Sequence, residues 1–579
     1  MSGSRGCSGG PRDGFDRRRR SDAGAGRSPA DPFVVASFPI HRPGGLMHPT
    51  RRLLLHHLVF RAASIAPEET VVSLTPEGSC EHSWREVGQR ARRLAGGLAG
   101  LGLGEGDAVA TLAFNDHRHL DAYLAVPCLG ARLHPVNTRW SDDEIVPVLA
   151  HTRDRILMVD GGLADRVGPI LRRCPWIEHV VSMGPWAGGD VSTIDHDDLV
   201  GDSVPVEGWP ELEETAGMAL CSTSGTTGGP KTVEYTHRST CLQTMALGLT
   251  DCMRLSGGDT VLAIVPMFHA MGWCLPYATA MLGSRLVLPH RDLDPMRILD
   301  VISEHRVTTA AAVPTIWNGV LAALDSEPGR WDVSCLDRIV SGGAAPTPAM
   351  IRGFRDRHDI EVIHSWGMTE INPVGTMSPA VTTREEAAMS PEARIDHQTV
   401  AGRPLPGLSL EIEDDEGRPV PHDGSETGRL LVSGWWVAPG YLHDHPDAAR
   451  FRPDGRLDTG DVASIDDRGR MAIRDREKDL IKSGGEWISS LDLERAIGDL
   501  PAVASVAVIA RPDERWGERP VAMVVLREGA SLSIEELRSE LSGSFQSWQL
   551  PDDLREIERM PLTSTGKIDK KTLRAGLGS

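Results

Sequence analysis

From Ala108 onward, short runs rich in β-branched residues alternate with longer stretches whose apolar positions recur every three to four residues. Two periods in alternation, near 2 and near 3.6, predict strands followed by amphipathic helices, which is the pattern of an α/β fold. Strands are expected over 109–114, 261–265, 285–288, 307–313, 338–340 and 361–363, and helices over 117–128, 295–305 and 348–358. Ligand loops in such sheets lie beyond the strand C-termini. The segments Gly342-Gly-Ala-Ala-Pro346 and Ser365-Trp-Gly-Met-Thr-Glu370 both fall there. A charged, glycine-containing stretch over 475–485 is then followed by a strand at 503–510 and a helix at 533–541, which predicts a small separate C-terminal domain. No repeat of 20 to 50 residues is visible.

One apolar run needs a decision. Residues 261–283 carry no Asp, Glu, Lys or Arg over a length that could span a bilayer. Pro266 and Pro276 would break a spanning helix, so strand, turn and buried helix are expected instead. At the N-terminus, Arg17 to Arg20 precede Ser-Asp-Ala-Gly-Ala-Gly-Arg, which is no apolar export core. Residues 1–46 are rich in Gly, Arg, Ser and Pro and read as a disordered tail or a misassigned start, with Met47 a candidate beginning.

Length and charge narrow the function. At 579 residues the chain exceeds what one hydrophobic core supports, so at least two domains are expected. A net charge of -20, from 81 acidic against 61 basic side chains, opposes nucleic acid as the main partner. Nine cysteines without a C-x-x-C pair read as reduced cytoplasmic thiols rather than a disulfide framework or a zinc site.

The densest chemistry lies in Cys221-Ser-Thr-Ser-Gly-Thr-Thr-Gly-Gly-Pro-Lys231. Gly225, Gly228 and Gly229 let backbone approach an anion, Ser222, Thr223, Ser224, Thr226 and Thr227 offer hydroxyls, and Lys231 adds a charge. The spacing of a Walker A loop is not met. The plain alternative is a flexible surface connection. Trp366-Gly-Met-Thr-Glu370 reads alone as a helix N-terminus capped by Thr369. Asp458-Thr-Gly-Asp461 reads alone as a turn. Arg474-Asp-Arg-Glu-Lys-Asp-Leu-Ile-Lys-Ser-Gly-Gly485 reads alone as a solvated charge run. In isolation Lys567 of Pro561-Leu-Thr-Ser-Thr-Gly-Lys567 is an exposed lysine and His269 a satisfied core histidine.

The order of these segments resembles the adenylate-forming superfamily of acyl-CoA synthetases, peptide-synthetase adenylation domains and luciferases. Residues 115–127 (N-D-H-R-H-L-D-A-Y-L-A-V-P), 134–137 (H-P-V-N), 267–277 (M-F-H-A-M-G-W-C-L-P-Y) and 482–490 (K-S-G-G-E-W-I-S-S) look most like bacterial medium-chain fatty acyl-CoA synthetases and relatives that activate methylmercaptopropionate. The resemblance implies a large ATP- and acyl-binding domain over 47–476, built of stacked α/β subdomains, and a mobile α+β domain over 477–579. It implies ATP contacts from Thr223 to Gly228, Lys231, Gly343, Ala344, Ala345, Ser365 to Thr369, Asp461, Arg476 and Lys567. Glu370 and Thr226 would hold Mg²⁺, since a carboxylate beside a triphosphate needs a cation between them. Asp461 would accept from the ribose hydroxyls, aided by Arg476. His269, Trp273, Gly342 and Trp366 would line the acyl pocket. Lys478 would be the hinge, and Ser483, Gly484 and Gly485 would pass the arm of coenzyme A. Lys567, Thr369, Glu370 and Lys231 would be the catalytic set. Family members have glycine where this chain has Thr232, and a positive φ there would make the threonine costly.

The implied activity is an AMP-forming acid:CoA ligase of the cytoplasm acting on medium-chain fatty, branched or thioether acids, with no transmembrane segment and with a homodimer left open. Two other readings compete. One loads a carrier-protein thiol, but no acidic residue near His269 would pair an amino acid's ammonium. The other is a non-catalytic nucleotide binder, which the filled motif positions oppose.

Overall fold

The computed structural model describes residues 51–223, 229–484, 486–563 and 566–577. The expectation for 1–46 lies outside them. Four sheets organise the chain. A nine-stranded sheet runs in the order Arg403–Pro404, Val374–Ser378, Glu361–Gly367, Arg338–Gly342, Thr309–Ala312, Thr260–Leu262, Arg285–Leu288, Thr70–Thr75 and Gly78–Ser83. Its middle strands are parallel, because each is joined to the next by a helix. A seven-stranded sheet is built the same way around Ala108–Leu112, whose five residues are all buried. Burial on both faces explains why these strands read as continuous apolar runs rather than alternating ones.

Helices 295–305 and 348–358 are found where the apolar period puts them. Each opens on a proline at a position where the missing N–H is no loss, and Asp294 and Thr347 cap the free N–H groups behind them. The expected helix 117–128 is shorter: it ends at Ala125 and continues as a 3-10 turn over Pro127–Leu129, because Pro127 cannot donate to the preceding turn. The uncharged run resolves into strand Thr260–Leu262, a turn over Ala270–Cys274 and buried helix Leu275–Leu282. No described helix is long and apolar enough to cross a membrane.

The four-stranded antiparallel sheet Leu408–Glu413, Gly428–Gly434, Leu457–Ile465 and Met471–Arg476 precedes a change of sheet. After residues 477–480, Ile481–Ser483 begins a five-stranded sheet dominated by the hairpin Val503–Asp513 and Gly517–Leu526. Ile481, Leu493, Ile497, Val508, Val524 and Leu537 form its own apolar core. The described part of 52–579 is nevertheless one compact unit. The fold is mixed α/β with a large N-terminal and a smaller C-terminal part.

The core behind the nine-stranded sheet positions the loops that matter. Trp317 is fully buried there, packs edge-on to Phe354 and donates its indole N–H to the Val340 carbonyl at 3.0 Å. It thereby holds the strand that ends in Gly342. Trp317→Ala is expected to lower stability by about 3–5 kcal/mol through the cavity it leaves, measured as a shift of the denaturant midpoint.

Candidate active site

Strands Gly217–Thr223 and Lys231–Thr236 pair antiparallel, with Thr223 opposite Lys231 as the last rung. Of the glycine- and hydroxyl-rich segment between them, Ser224, Gly225, Thr226, Thr227 and Gly228 lie outside the described residues. Thr232 is extended strand, so the strain a positive φ would bring is not present. Its hydroxyl lies 2.8 Å from Ser222 Oγ, which lies 3.0 Å from His134 Nε2, while His134 Nδ1 is 3.0 Å from Asp154 Oδ2. His134 and Asp154 are fully buried. This hydroxyl–imidazole–carboxylate chain fixes the end of the strand pair, and the side chain that glycine would lack supplies its last link.

Lys231 forms an ion pair with Asp447, which holds the Asp447 carboxyl below the usual carboxylate range, and its ammonium stands 5.9 Å from the Tyr441 ring centroid. The Tyr441 hydroxyl donates to Glu370 Oε1 at 2.9 Å. Lys231, Tyr441 and Glu370 are thus brought together. Glu370 is 8% exposed and lies in a 3-10 turn over Thr369–Ile371. This corrects the helix N-terminus reading of Thr369: its side chain caps nothing, and its carbonyl accepts from the Tyr235 hydroxyl at 2.7 Å. Ser365, Trp366 and Gly367 end the strand rather than lying beyond it, and Met368 N–H returns to the Pro373 carbonyl.

A second cluster gathers Asp461, Arg476, Trp366 and Lys567. Asp461 and Arg476 face each other in adjacent antiparallel strands, with 3.4 Å between Oδ1 and Nε. Trp366 donates its indole N–H to the other Asp461 oxygen at 3.0 Å. Asp461 is 5% exposed, and burial pushes its carboxyl upward against the pull of Arg476. Lys567 reaches this cluster from the C-terminal part. Its Cε lies 2.9 Å from where a Cβ on Gly343 would stand, at φ +88, so only glycine there admits the lysine. The loop is held by the Thr315 hydroxyl donating to the Gly566 carbonyl at 3.2 Å. Burial, then Arg476, push the Lys567 ammonium down to about 8, with Asp461 opposing. Ala344 and Ala345 continue this loop, exposed.

The apolar wall has an unusual backbone. Ala270, Met271, Gly272, Trp273 and Cys274 all have φ between +43 and +59, a left-handed turn that no sequence signal announced. Each non-glycine residue in it costs about 1–2 kcal/mol. The turn sets the Trp273 ring 2.5 Å from the position of a Cβ on Gly342, so indole and glycine fit face to face. His269 precedes the turn, and burial, then Lys567 and Arg139, push its imidazole down to about 4, leaving it neutral at physiological pH.

Lys478, exposed in the link between sheets, lies within electrostatic reach of both clusters: burial, then Arg476, and in smaller part Lys231, push its ammonium down, with Asp479 opposing. Ser483 and Gly484 are bonded elsewhere. Ser483 accepts from Arg519 at 2.9 Å and Gly484 N–H donates to the Trp516 carbonyl at 2.7 Å, contacts within the C-terminal sheet. Gly485 lies outside the described residues. For a cation, the buried oxygen donors of Glu370 suit Mg²⁺, a hard ion; its expected companion Thr226 lies outside the description.

A family model described as AMP-binding enzyme matches residues 59–442, and one described as AMP-binding enzyme C-terminal domain matches 492–567. The 3-methylmercaptopropionyl-CoA ligase of Ruegeria pomeroyi is 40% identical over 529 residues, covering 90% of this chain and 97% of the relative. The medium-chain-fatty-acid–CoA ligase of Ectopseudomonas oleovorans is 38% identical over 533 residues, covering 91% and 96%. Among solved structures, ATP-bound MatB from Rhodopseudomonas palustris matches with a TM-score of 0.78 at 25% identity, covering 91% of this chain and 99% of that one. The anthranilate CoA ligase AuaEII with anthranoyl-AMP is similar in fold, with a TM-score of 0.80 at 24% identity, covering 90% and 97%.

The Lys567 environment is testable without any substrate. Its rate of acylation by a lysine reagent, followed by mass spectrometry across pH, is expected to show a midpoint near the value of about 8. Asp461→Asn removes the one charge that favours the ammonium, so the midpoint should move lower.

Proposed function

Because the chain belongs to the AMP-binding enzyme family, we propose that the clusters around Glu370 and Lys567 form one site where a carboxylic acid is joined to AMP and then to coenzyme A. The protein is an ATP-dependent, AMP-forming acyl-CoA ligase that uses Mg²⁺ and takes CoA as co-substrate. The observation that carries the site is the position of Lys567: its side chain lies against Gly343, in the field of Asp461 and Arg476.

A carboxylate resists a thiol because it is anionic and would have to expel oxide. Activation gives it a leaving group. The carboxylate oxygen attacks the α-phosphorus of ATP, the bond to the β-phosphate oxygen breaks, and pyrophosphate leaves, so the charge to be stabilised is on phosphate and acid together. Lys567 is the cation positioned for that charge, because a desolvated ammonium interacts more strongly than a solvated one. Lys231 is assigned to the outer phosphates; an incoming anion would replace its present partner Asp447. Asp461 accepts from ribose, and Arg476 orients it. Glu370 would hold Mg²⁺, which supplies charge neutralisation between carboxylate and phosphates. In the second step the CoA sulfur attacks the acyl carbon, the bond to AMP breaks and a thioester forms.

Both steps act on the same carboxyl group, and Lys567, as assigned, would stand beside it in the first. We assign Lys478 as the hinge about which 477–579 turns against 47–476, withdrawing Lys567 and presenting Ser483, Gly484 and Gly485 to the thiol. The acid is assigned as medium-chain fatty, short branched or thioether. What supports this is the apolar wall of Trp273 against Gly342, a neutral His269, and relatives whose names give methylmercaptopropionyl and medium-chain fatty acid substrates. We place the protein in the cytoplasm from the cysteines that are free among the described residues.

Lys567→Ala is expected to lower acyl-adenylate formation by about 10²–10³-fold or more while leaving conversion of synthetic acyl adenylate to thioester intact; equal loss of both steps would refute the assignment. A panel of acids from propionate to dodecanoate, with methylmercaptopropionate included, should give CoA thioesters with its apolar members. Transfer to a carrier-protein thiol in preference to free CoA would overturn the choice of acceptor.

A further inference from the structure

The edge of the nine-stranded sheet carries chemistry that ligation does not use. Cys80 and His82 alternate along the last strand, Gly78–Ser83, so their side chains share one face. His117 is the first residue of helix His117–Ala125, and its backbone N–H donates to Ser73 Oγ of the adjoining strand at 3.1 Å, which brings the helix end to that face. Cys80 Sγ lies 3.4 Å from His117 Nδ1, and the His82 and His117 ring centroids are 5.0 Å apart. One ligand atom from each of the three lies within 4.8 Å of the others.

We propose that Cys80, His82 and His117 bind one zinc ion, with water as the fourth ligand. One thiolate and two imidazoles are a donor set that zinc favours over harder cations. Bonds of about 2.0–2.3 Å in a tetrahedron place ligand atoms roughly 3.3–3.8 Å apart, so the Cys80–His117 spacing already fits and His82 needs only a side-chain adjustment. Cys80 and His82 are half-buried on an edge strand, which leaves the ion a way in.

The surroundings accept a cation. Arg90 is paired with Asp121 and Asp197 at 2.9 and 2.8 Å, and Arg118 with Asp197 and Asp116 at 3.0 and 3.6 Å, so three carboxylates face two guanidiniums. Burial raises the Cys80 thiol while both arginines lower it, and burial keeps His82 and His117 in the neutral form that binds metal. Binding sends the thiol proton to solvent. The ion would join the edge strand of one sheet to the first helix of the other, a structural clamp rather than a catalytic centre.

The test is cobalt titration of the full chain after chelator treatment, with excess Mg²⁺ present. Wild type should bind one Co²⁺ with a thiolate-to-cobalt charge-transfer absorption and the d–d pattern of four-coordination, and zinc should displace it one to one. Cys80→Ser should lose the charge-transfer band, and His82→Gln should lose tight binding, both while keeping acyl-adenylate formation. No such band in wild type, a band unchanged in Cys80→Ser, or wild-type affinity in His82→Gln would each overturn the proposal.

Discussion

A lysine ammonium can be sunk beside a carboxylate and a guanidinium only where the backbone under it makes room, and Gly343 is that place. The glycine opens the loop after the strand Arg338–Gly342, which Trp317 holds from behind through its bond to Val340. From the other direction, Asp461 and Arg476 are set opposite each other by strand register, so their mutual position is a property of the sheet and not of flexible side chains. Three sheets therefore meet in one electrostatic arrangement. The lysine comes from a loop that the Thr315 hydroxyl ties to the large domain through the Gly566 carbonyl.

The surroundings of Glu370 follow a different logic. Lys231 is neutralised by Asp447, and Glu370 accepts from the Tyr441 hydroxyl. Deep charges are costly when unpaired, so each of these groups carries its own partner. The strand pair that carries Lys231 is fixed separately by the Asp154–His134–Ser222–Thr232 chain.

Much of the α/β body was legible because strands buried on both faces and helices with one apolar face leave different periods in the sequence. The site motifs were legible as residue types: Asp461, Arg476, Gly343 and Lys567 do assemble. What period and motif could not give was handedness and partnership. Ala270 to Cys274 look like any apolar turn, since nothing in alanine, methionine, tryptophan or cysteine signals a positive φ. Likewise Thr232 looked like a liability because its partner Ser222 becomes visible only when two strands pair. His134 has no visible role within residues 134–137, because Asp154 reaches it only through the fold. The neighbourhood of Cys80 and His117 was hidden for the same reason.

The left-handed turn behind Trp273 bears on how substrate range can drift. A wall whose backbone already sits in an unfavourable twist tolerates insertion or deletion poorly, because a slip of one residue would unwind it and swing the indole away. Side-chain exchange within the turn keeps the twist but not the match to Gly342. On the proposed assignment of Trp273 and Gly342 to the acyl pocket, room for a bulkier acid is gained more cheaply along the strand that ends at Gly342 than inside the turn.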